Sequence, residues 1–326
     1  MTPLLRVNNL VMYYGTLRGY VKAVDDISFE VNKGDAVGLA GESGCGKTSA
    51  ALTIMRLLPL NGKIIRGEIL FENKDLLKLS EKELNREIRW KKISMIFQGA
   101  MNSLHPTKRI GAQISDAIIY HEEVDKDEAY KRAEALLDLV GVGASRIDRY
   151  PHELSGGMKQ RTIIAMALAC NPRLVIADEP TTALDVIVAA QVLELVKDLQ
   201  RKLNLSLILI SHDLSNIAEI CNKVAIMYAG KIVEFGTVEA VYKEPLHPYT
   251  QKLIAAFPSI LGNRREFVRI HGFPPDLLNP PSGCRFHPRC EFAMDICKRN
   301  EPKSVYVDSK GHQVACHLIK GGEKDG

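Results

Sequence analysis

One eight-residue stretch constrains this chain more than any other: Gly41-Glu42-Ser43-Gly44-Cys45-Gly46-Lys47-Thr48. Its form is G-x-x-x-x-G-K-S/T, the pattern of a phosphate-binding loop. The run before it, Ala36-Val37-Gly38-Leu39-Ala40, is short and apolar and predicts a buried strand. The run after it, 49–58, predicts a helix stopped by Pro59. Glycines at Gly41, Gly44 and Gly46 let the backbone curl until successive N–H groups, those of Ser43 and Cys45 included, point inward at phosphate oxygens. The helix N-terminus adds unpaired donors and a partial positive charge. Lys47 is expected to reach the β- and γ-phosphates, and the Thr48 hydroxyl to ligate Mg²⁺. A bare Gly-rich turn also fits eight residues taken alone; strand, loop and helix in this order argue for the nucleotide.

At 326 residues the chain is long enough for one large domain plus an appendage. Its 46% hydrophobic and 25% charged content are ordinary for a globular protein. The net charge of +4 is too small to argue for nucleic acid, though it suits an anionic membrane surface. No apolar run approaches the roughly 18 residues of a membrane span. The start, Met1-Thr2-Pro3-Leu4-Leu5-Arg6, lacks the basic-then-apolar pattern of a secretory signal. The expectation is a cytosolic chain with reduced thiols.

Further pieces follow the loop. Residues 92–97 predict a strand ending on Gln98, which could turn toward Mg²⁺ and water or simply be solvated. Leu154-Ser155-Gly156-Gly157-Met158 places an N-cap serine and two bare glycines at a helix start, suited either to phosphate or to an ordinary capped helix. Leu174-Val175-Ile176-Ala177 is continuously apolar, as a central parallel strand should be, and ends in Asp178-Glu179. Neighbouring side chains on a strand point to opposite faces, so the two acids can differ in role. Asp178 would hold Mg²⁺ and Glu179 would polarise the attacking water. Residues 180–185 lead into a long helix over about 186–203, and strand 206–210 precedes Ser211-His212-Asp213. Tyr13 and Tyr14, after a first strand at 5–11, could stack on a base or pack within a sheet.

In this order the pieces resemble the nucleotide-binding subunit of an ABC transporter, over roughly residues 4–243. The resemblance implies an α/β P-loop NTPase fold with a mixed sheet and a helical subdomain at about 99–168. It implies ATP and Mg²⁺ as cofactors. It makes Tyr14 the adenine-stacking aromatic, with Tyr13 as competitor, and Gln98 a sensor of Mg²⁺ and nucleotide. It makes Ser155, Gly156 and Gly157 donors to the γ-phosphate of an ATP held by a partner cassette, and Asp185 an acid at the dimer seam. Glu179 becomes the general base and His212 the γ-phosphate switch. The implied partners are a paralogous ATPase or a second copy, two membrane permease subunits and, indirectly, an extracytoplasmic solute-binding protein. The implied place is the cytoplasmic face of the membrane. A soluble ABC ATPase acting on nucleic acid or ribosomes is the rival class; such chains usually carry two cassettes or a long coiled-coil insertion. An iron–sulfur sensor with a vestigial ATPase is disfavoured because each catalytic position is filled.

From Pro245 onward the character changes, with prolines at 245, 248, 258, 274, 275, 280 and 281 and fading periodicity. Residues 1–243 are therefore read as the nucleotide-binding domain and 244–326 as an irregular extension. Cys284, Cys290, Cys297 and Cys316 lie there, separated by five, six and eighteen residues. Such a set in a cytosolic protein favours a metal site. Zinc usually shows a C-x₂-C pair, which this set lacks. Wider spacing suits thiolates around a larger object, so a 4Fe–4S cluster is expected, with zinc or free thiols as the alternatives. The stretch His247-Pro248-Tyr249-Thr250 resembles the C-terminal extension of the oligopeptide/dipeptide branch of these ATPases, a branch that also includes nickel and oligosaccharide importers. That resemblance implies the same cluster, and peptide import as the task.

Overall fold

In the computed structural model, residues 2–256 and 270–319 are described; Pro258, with the rest of 257–269, and residues 320–326 lie outside them. The described residues fall into two units. The first combines the described parts of 1–32, 36–77 and 210–326, the second 33–35 and 78–209.

In the first unit, an antiparallel sheet runs in the order Gly19–Val31, Leu5–Thr16, Gly62–Phe71, Lys74–Asp75. The strand Leu5–Thr16 is longer than the 5–11 that the sequence suggests, because Tyr13 and Tyr14 stay in the ladder opposite Lys63 and Gly62. A second group of strands is mixed. Ala36–Ala40, buried at every position, pairs in parallel with Lys223–Tyr228, which pairs antiparallel with Lys231–Thr237. The extension joins this group: Gln313–Val314 pairs antiparallel with Lys231–Thr237 and with Val305–Tyr306. The strand Gln313–Val314 of the tail is therefore held to the fold by backbone hydrogen bonds. The tail's helix Pro248–Ala255, with buried Tyr249 and Leu253, is regular structure that proline counting misses.

The helix after the P-loop runs over Lys47–Ile54, two residues earlier at its start and four shorter at its end than the sequence suggests. Met55 caps it and Arg56 takes a left-handed φ of 51°, so the helix ends before Pro59.

In the second unit, Ile93–Ile96 and Leu174–Asp178 pair in parallel, with Ile93 opposite Leu174. The helices are Ile110–Glu122, Lys126–Leu139, Gly156–Leu168 and Val186–Lys202. Ile110, Ile114 and Ile118 recur every fourth residue and are fully buried, as are Ala129, Ala133 and Leu137 of the next helix. Asp125 caps that second helix, and Gly141, at φ 71°, follows its end.

Candidate active site

The P-loop is built from two chain approaches that only glycine tolerates. Gly41 has φ 147°, and a Cβ there would lie 2.1 Å from the Met227 carbonyl oxygen. Gly46 has φ 109°, and its Cβ would lie 2.1 Å from the Ala23 carbonyl oxygen. Gly46 is the N-cap of Lys47–Ile54, and no side chain caps that helix. Its first-turn N–H groups therefore face the loop, with the partial positive charge of the helix end. The Lys47 ammonium is buried at 6% exposure and donates to the carbonyls of Gly41 at 2.8 Å and Glu42 at 3.0 Å. Ser43, Gly44 and Thr48 are exposed, while burial raises the pKa of the Cys45 thiol.

The extension reaches the same loop. The Glu42 N–H donates to the Tyr249 hydroxyl at 2.9 Å. Arg289 grips the Glu42 carboxylate with both Nη atoms, at 2.7 and 2.9 Å. Sequence reading missed these contacts, and no local signal points to a pair 247 residues apart.

Tyr14 is half-buried and its hydroxyl donates to the Ser49 Oγ at 3.1 Å, beside the P-loop helix. The Tyr13 hydroxyl donates to Asp25 at 2.8 Å, and burial pushes its pKa up to about 12. His212 is exposed, directly after the buried strand Ser206–Ile210, and Asp213 caps the following helix Leu214–Ile220.

In the second unit, Asp178 ends its strand at 1% exposure. Glu179 follows at a left-handed φ of 45°. Its Oε2 accepts from Gln98 Nε2 and from Thr182 Oγ1, each at 3.1 Å. The structure thus brings Gln98 and Glu179 together. Thr182, to which sequence reading gave no role, joins them. Ser155 caps the helix Gly156–Leu168 by accepting from the Met158 N–H at 3.3 Å. Gly157 packs so tightly that a Cβ would lie 2.6 Å from Val188 Cγ1. Asp185 caps the helix that carries Val188, accepting from the Val188 N–H at 2.9 Å. Gly157 therefore packs directly on the first turn of the helix that Asp185 caps.

Cys284, Cys290, Cys297 and Cys316 line one cavity with His247, Phe286 and Phe292. Burial pushes the Cys284 thiol up to about 11 and also raises Cys290 and Cys316. Two nearby histidines are engaged elsewhere: His287 Nδ1 bonds the Cys284 carbonyl and His317 Nε2 the Asn300 carbonyl, each at 2.9 Å. Among the described residues no group of three or more His, Cys, Asp or Glu is placed to hold a metal ion. The expectation of a metal-binding extension is therefore not supported by the described residues. Burial pushes Cys170 and Cys221 up to about 12, which keeps them protonated and inert.

A family model described as ABC transporter matches residues 24–182, and one described as oligopeptide/dipeptide transporter, C-terminal region, matches 233–297. The oligopeptide transport ATP-binding protein OppD of Bacillus subtilis is 48% identical over 98% of this chain and 90% of its own length. The dipeptide transport ATP-binding protein DppD of Escherichia coli is 44% identical over 96% of each. Among solved structures, the ATP-binding cassette MJ0796, a dimer in a post-hydrolysis state bound to ADP and Pi, aligns with a TM-score of 0.64 at 26% identity. It covers 72% of this chain and 98% of that one. No helix among the described residues is long and apolar enough to cross a membrane. With relatives this similar over nearly their whole length, the chain belongs to the ATP-binding subunits of the oligopeptide/dipeptide family of ABC transporters.

Proposed function

We propose that this chain hydrolyses ATP to drive uptake of di- or oligopeptides, working at the cytoplasmic face of a membrane with two permease subunits and a second cassette. The observation that carries the reading is the P-loop, whose glycine-only approaches hold an uncapped helix N-terminus and a buried lysine at one place. That arrangement suits a polyanionic phosphate chain. The peptide assignment rests on the names of the relatives and on the extension they share. A solute-binding protein outside the membrane would deliver the peptide.

In this reading residues 1–243 are the cassette, about 99–168 its helical part, and 244–326 the extension. Tyr14 stacks on adenine. Lys47 and the N–H groups of 41–48 bind the phosphates. Thr48, Asp178 and Gln98 complete the shell of Mg²⁺, and His212 contacts the γ-phosphate. Glu179 accepts a proton from the attacking water. The hydrogen bonds from Gln98 and Thr182 support this role, because both donate to the same carboxylate oxygen and hold the carboxylate in one orientation. Ser155, Gly156 and Gly157 donate to the γ-phosphate of ATP on the other cassette, which places Asp185 at the seam. Pairing is head to tail, with the same chain or a paralogue, and hydrolysis releases the grip that closes the pair.

Replacing Glu179 with Gln should lower turnover by about 100-fold or more while ATP stays bound, since the amide cannot accept the proton. Wild-type turnover in that variant contradicts the assignment of the base.

We infer from the spacing of the four cysteines, which lacks a C-x₂-C pair, a 4Fe–4S cluster in preference to one zinc ion. In a cluster each thiolate binds a separate iron, and the four cysteines line one common cavity. Cys284, Cys290, Cys297 and Cys316 would be the ligands, and the cluster would supply a structural cross-link for a tail with a small core. Anaerobically purified protein should absorb broadly near 400 nm and carry about four irons per chain. A colourless, iron-free protein overturns this part.

A further inference from the structure

We propose that Arg289, next to Cys290 on the extension, is a positioning residue for the P-loop, setting its affinity for the nucleotide's phosphates by neutralising Glu42. The proposal rests on the reading of 41–48 as the ATP site. Glu42 is an awkward residue there, because a carboxylate inside a loop built for phosphate repels its ligand. The geometry offsets this. Arg289 Nη1 and Nη2 donate to the two Glu42 oxygens at 2.7 and 2.9 Å, a fork-on-fork pair. The two side chains are only 6% and 23% exposed, so the pair is weakly screened.

The fork is itself fixed. Arg289 Nε donates to the His271 carbonyl at 2.9 Å, Nη2 to the Gly272 carbonyl at 3.3 Å, and Nη1 to the Tyr228 hydroxyl at 3.3 Å. Its guanidinium carbon also lies 5.7 Å from the Tyr228 ring centre. Hydrogen bonding to Glu42 raises the Arg289 pKa further, so the charge is permanent. Tyr249, buried against Tyr228 with ring centres 4.6 Å apart, accepts the Glu42 N–H. Side chain and backbone of one P-loop residue are thus both held by the extension. The carboxylate is turned toward Arg289, and the loop presents its remaining N–H groups with no uncompensated negative charge.

The test is equilibrium titration of the full-length chain with a fluorescent ATP analogue and Mg²⁺. Arg289→Ala should weaken binding about tenfold, the scale of one uncompensated charge in a partly buried site. Adding Glu42→Gln to Arg289→Ala should recover most of that loss, which a merely structural role for Arg289 would not do. Arg289→Lys, which keeps the charge and loses the fork, should fall between wild type and Arg289→Ala, and carries the test if the alanine variant does not fold. Unchanged affinity in the folded variants, or no recovery in the double variant, overturns the proposal. Failure of the wild-type chain to bind the analogue would instead remove the ATP site itself.

Discussion

At the scale of single residues, the P-loop leaves almost no room for substitution. Gly46 combines a left-handed φ with a carbonyl oxygen 2.1 Å from any added Cβ. Gly46→Ala is expected to cost about 2 kcal/mol or more in stability, because the backbone must move to admit a methyl group. Thermal denaturation should show this as a lowered midpoint, together with lost nucleotide binding; a wild-type midpoint would contradict the geometry. Thr182 offers a finer probe. Thr182→Val removes the hydroxyl that fixes Glu179 and should lower turnover about 5–10-fold, the worth of roughly one hydrogen bond, with ATP affinity retained. Thr182→Ser should restore it. The P-loop itself was legible because its residues are contiguous and its glycines, Lys47 and Thr48 each have a local reason to be there. Glu42 was legible only as a variable position within that motif. Its significance comes from Arg289 and Tyr249, which reach it across the fold, and no local pattern encodes such a pairing.

At the scale of elements, two helix ends meet at the signature. Ser155 and Asp185 each cap a helix, and Gly157 lets those helices approach. Asp185→Ala should therefore cost about 1 kcal/mol through the lost cap, measured by denaturant unfolding. Asp185→Asn should recover that stability, so any activity it still lacks reports the charge at the seam and not the cap. The helices Ile110–Glu122 and Lys126–Leu139 are tied by an ion pair between Glu122 and Arg132, and Arg132 also donates to the Ala169 carbonyl at 2.9 Å. The Arg132 hydrogen bond lowers the Glu122 pKa below its ordinary value of 4.5. A carboxyl lowered on folding stabilises the fold fully above that value, and the contribution is lost as pH falls below it. Arg132→Gln should flatten this part of the stability–pH curve below about pH 4.5; an unchanged acid slope would contradict it. Strands bounding the site were readable from unbroken apolar runs. Helix Ile110–Glu122 was not assigned from sequence, although its isoleucines at every fourth position carried the signal.

At the scale of the whole molecule, the extension looks irregular in sequence because proline spacing hides how it is held. Its strand Gln313–Val314 completes pairing with Lys231–Thr237. The buried Glu234 carboxylate accepts from the backbone N–H groups of Leu246 and His247, each at 2.9 Å, and bonds His312 at 2.8 Å. These are long-range partners, which composition cannot supply. The four cysteines were readable as a group, and the structure gathers them around one cavity. If they stabilise the tail as a unit, Cys290→Ser should make residues beyond 244 more sensitive to protease and weaken cassette pairing. Unchanged protease resistance and pairing would remove that role. The central claim is that this chain turns over ATP in the service of peptide uptake. The most direct measurement is phosphate release by the chain assembled with its permease and cassette partners in lipid vesicles, with and without peptide-loaded binding protein. The account predicts turnover that rises severalfold with peptide and disappears in Lys47→Ala. Absence of turnover in the assembled wild-type complex, or turnover indifferent to peptide but raised by nickel or a sugar, would contradict it.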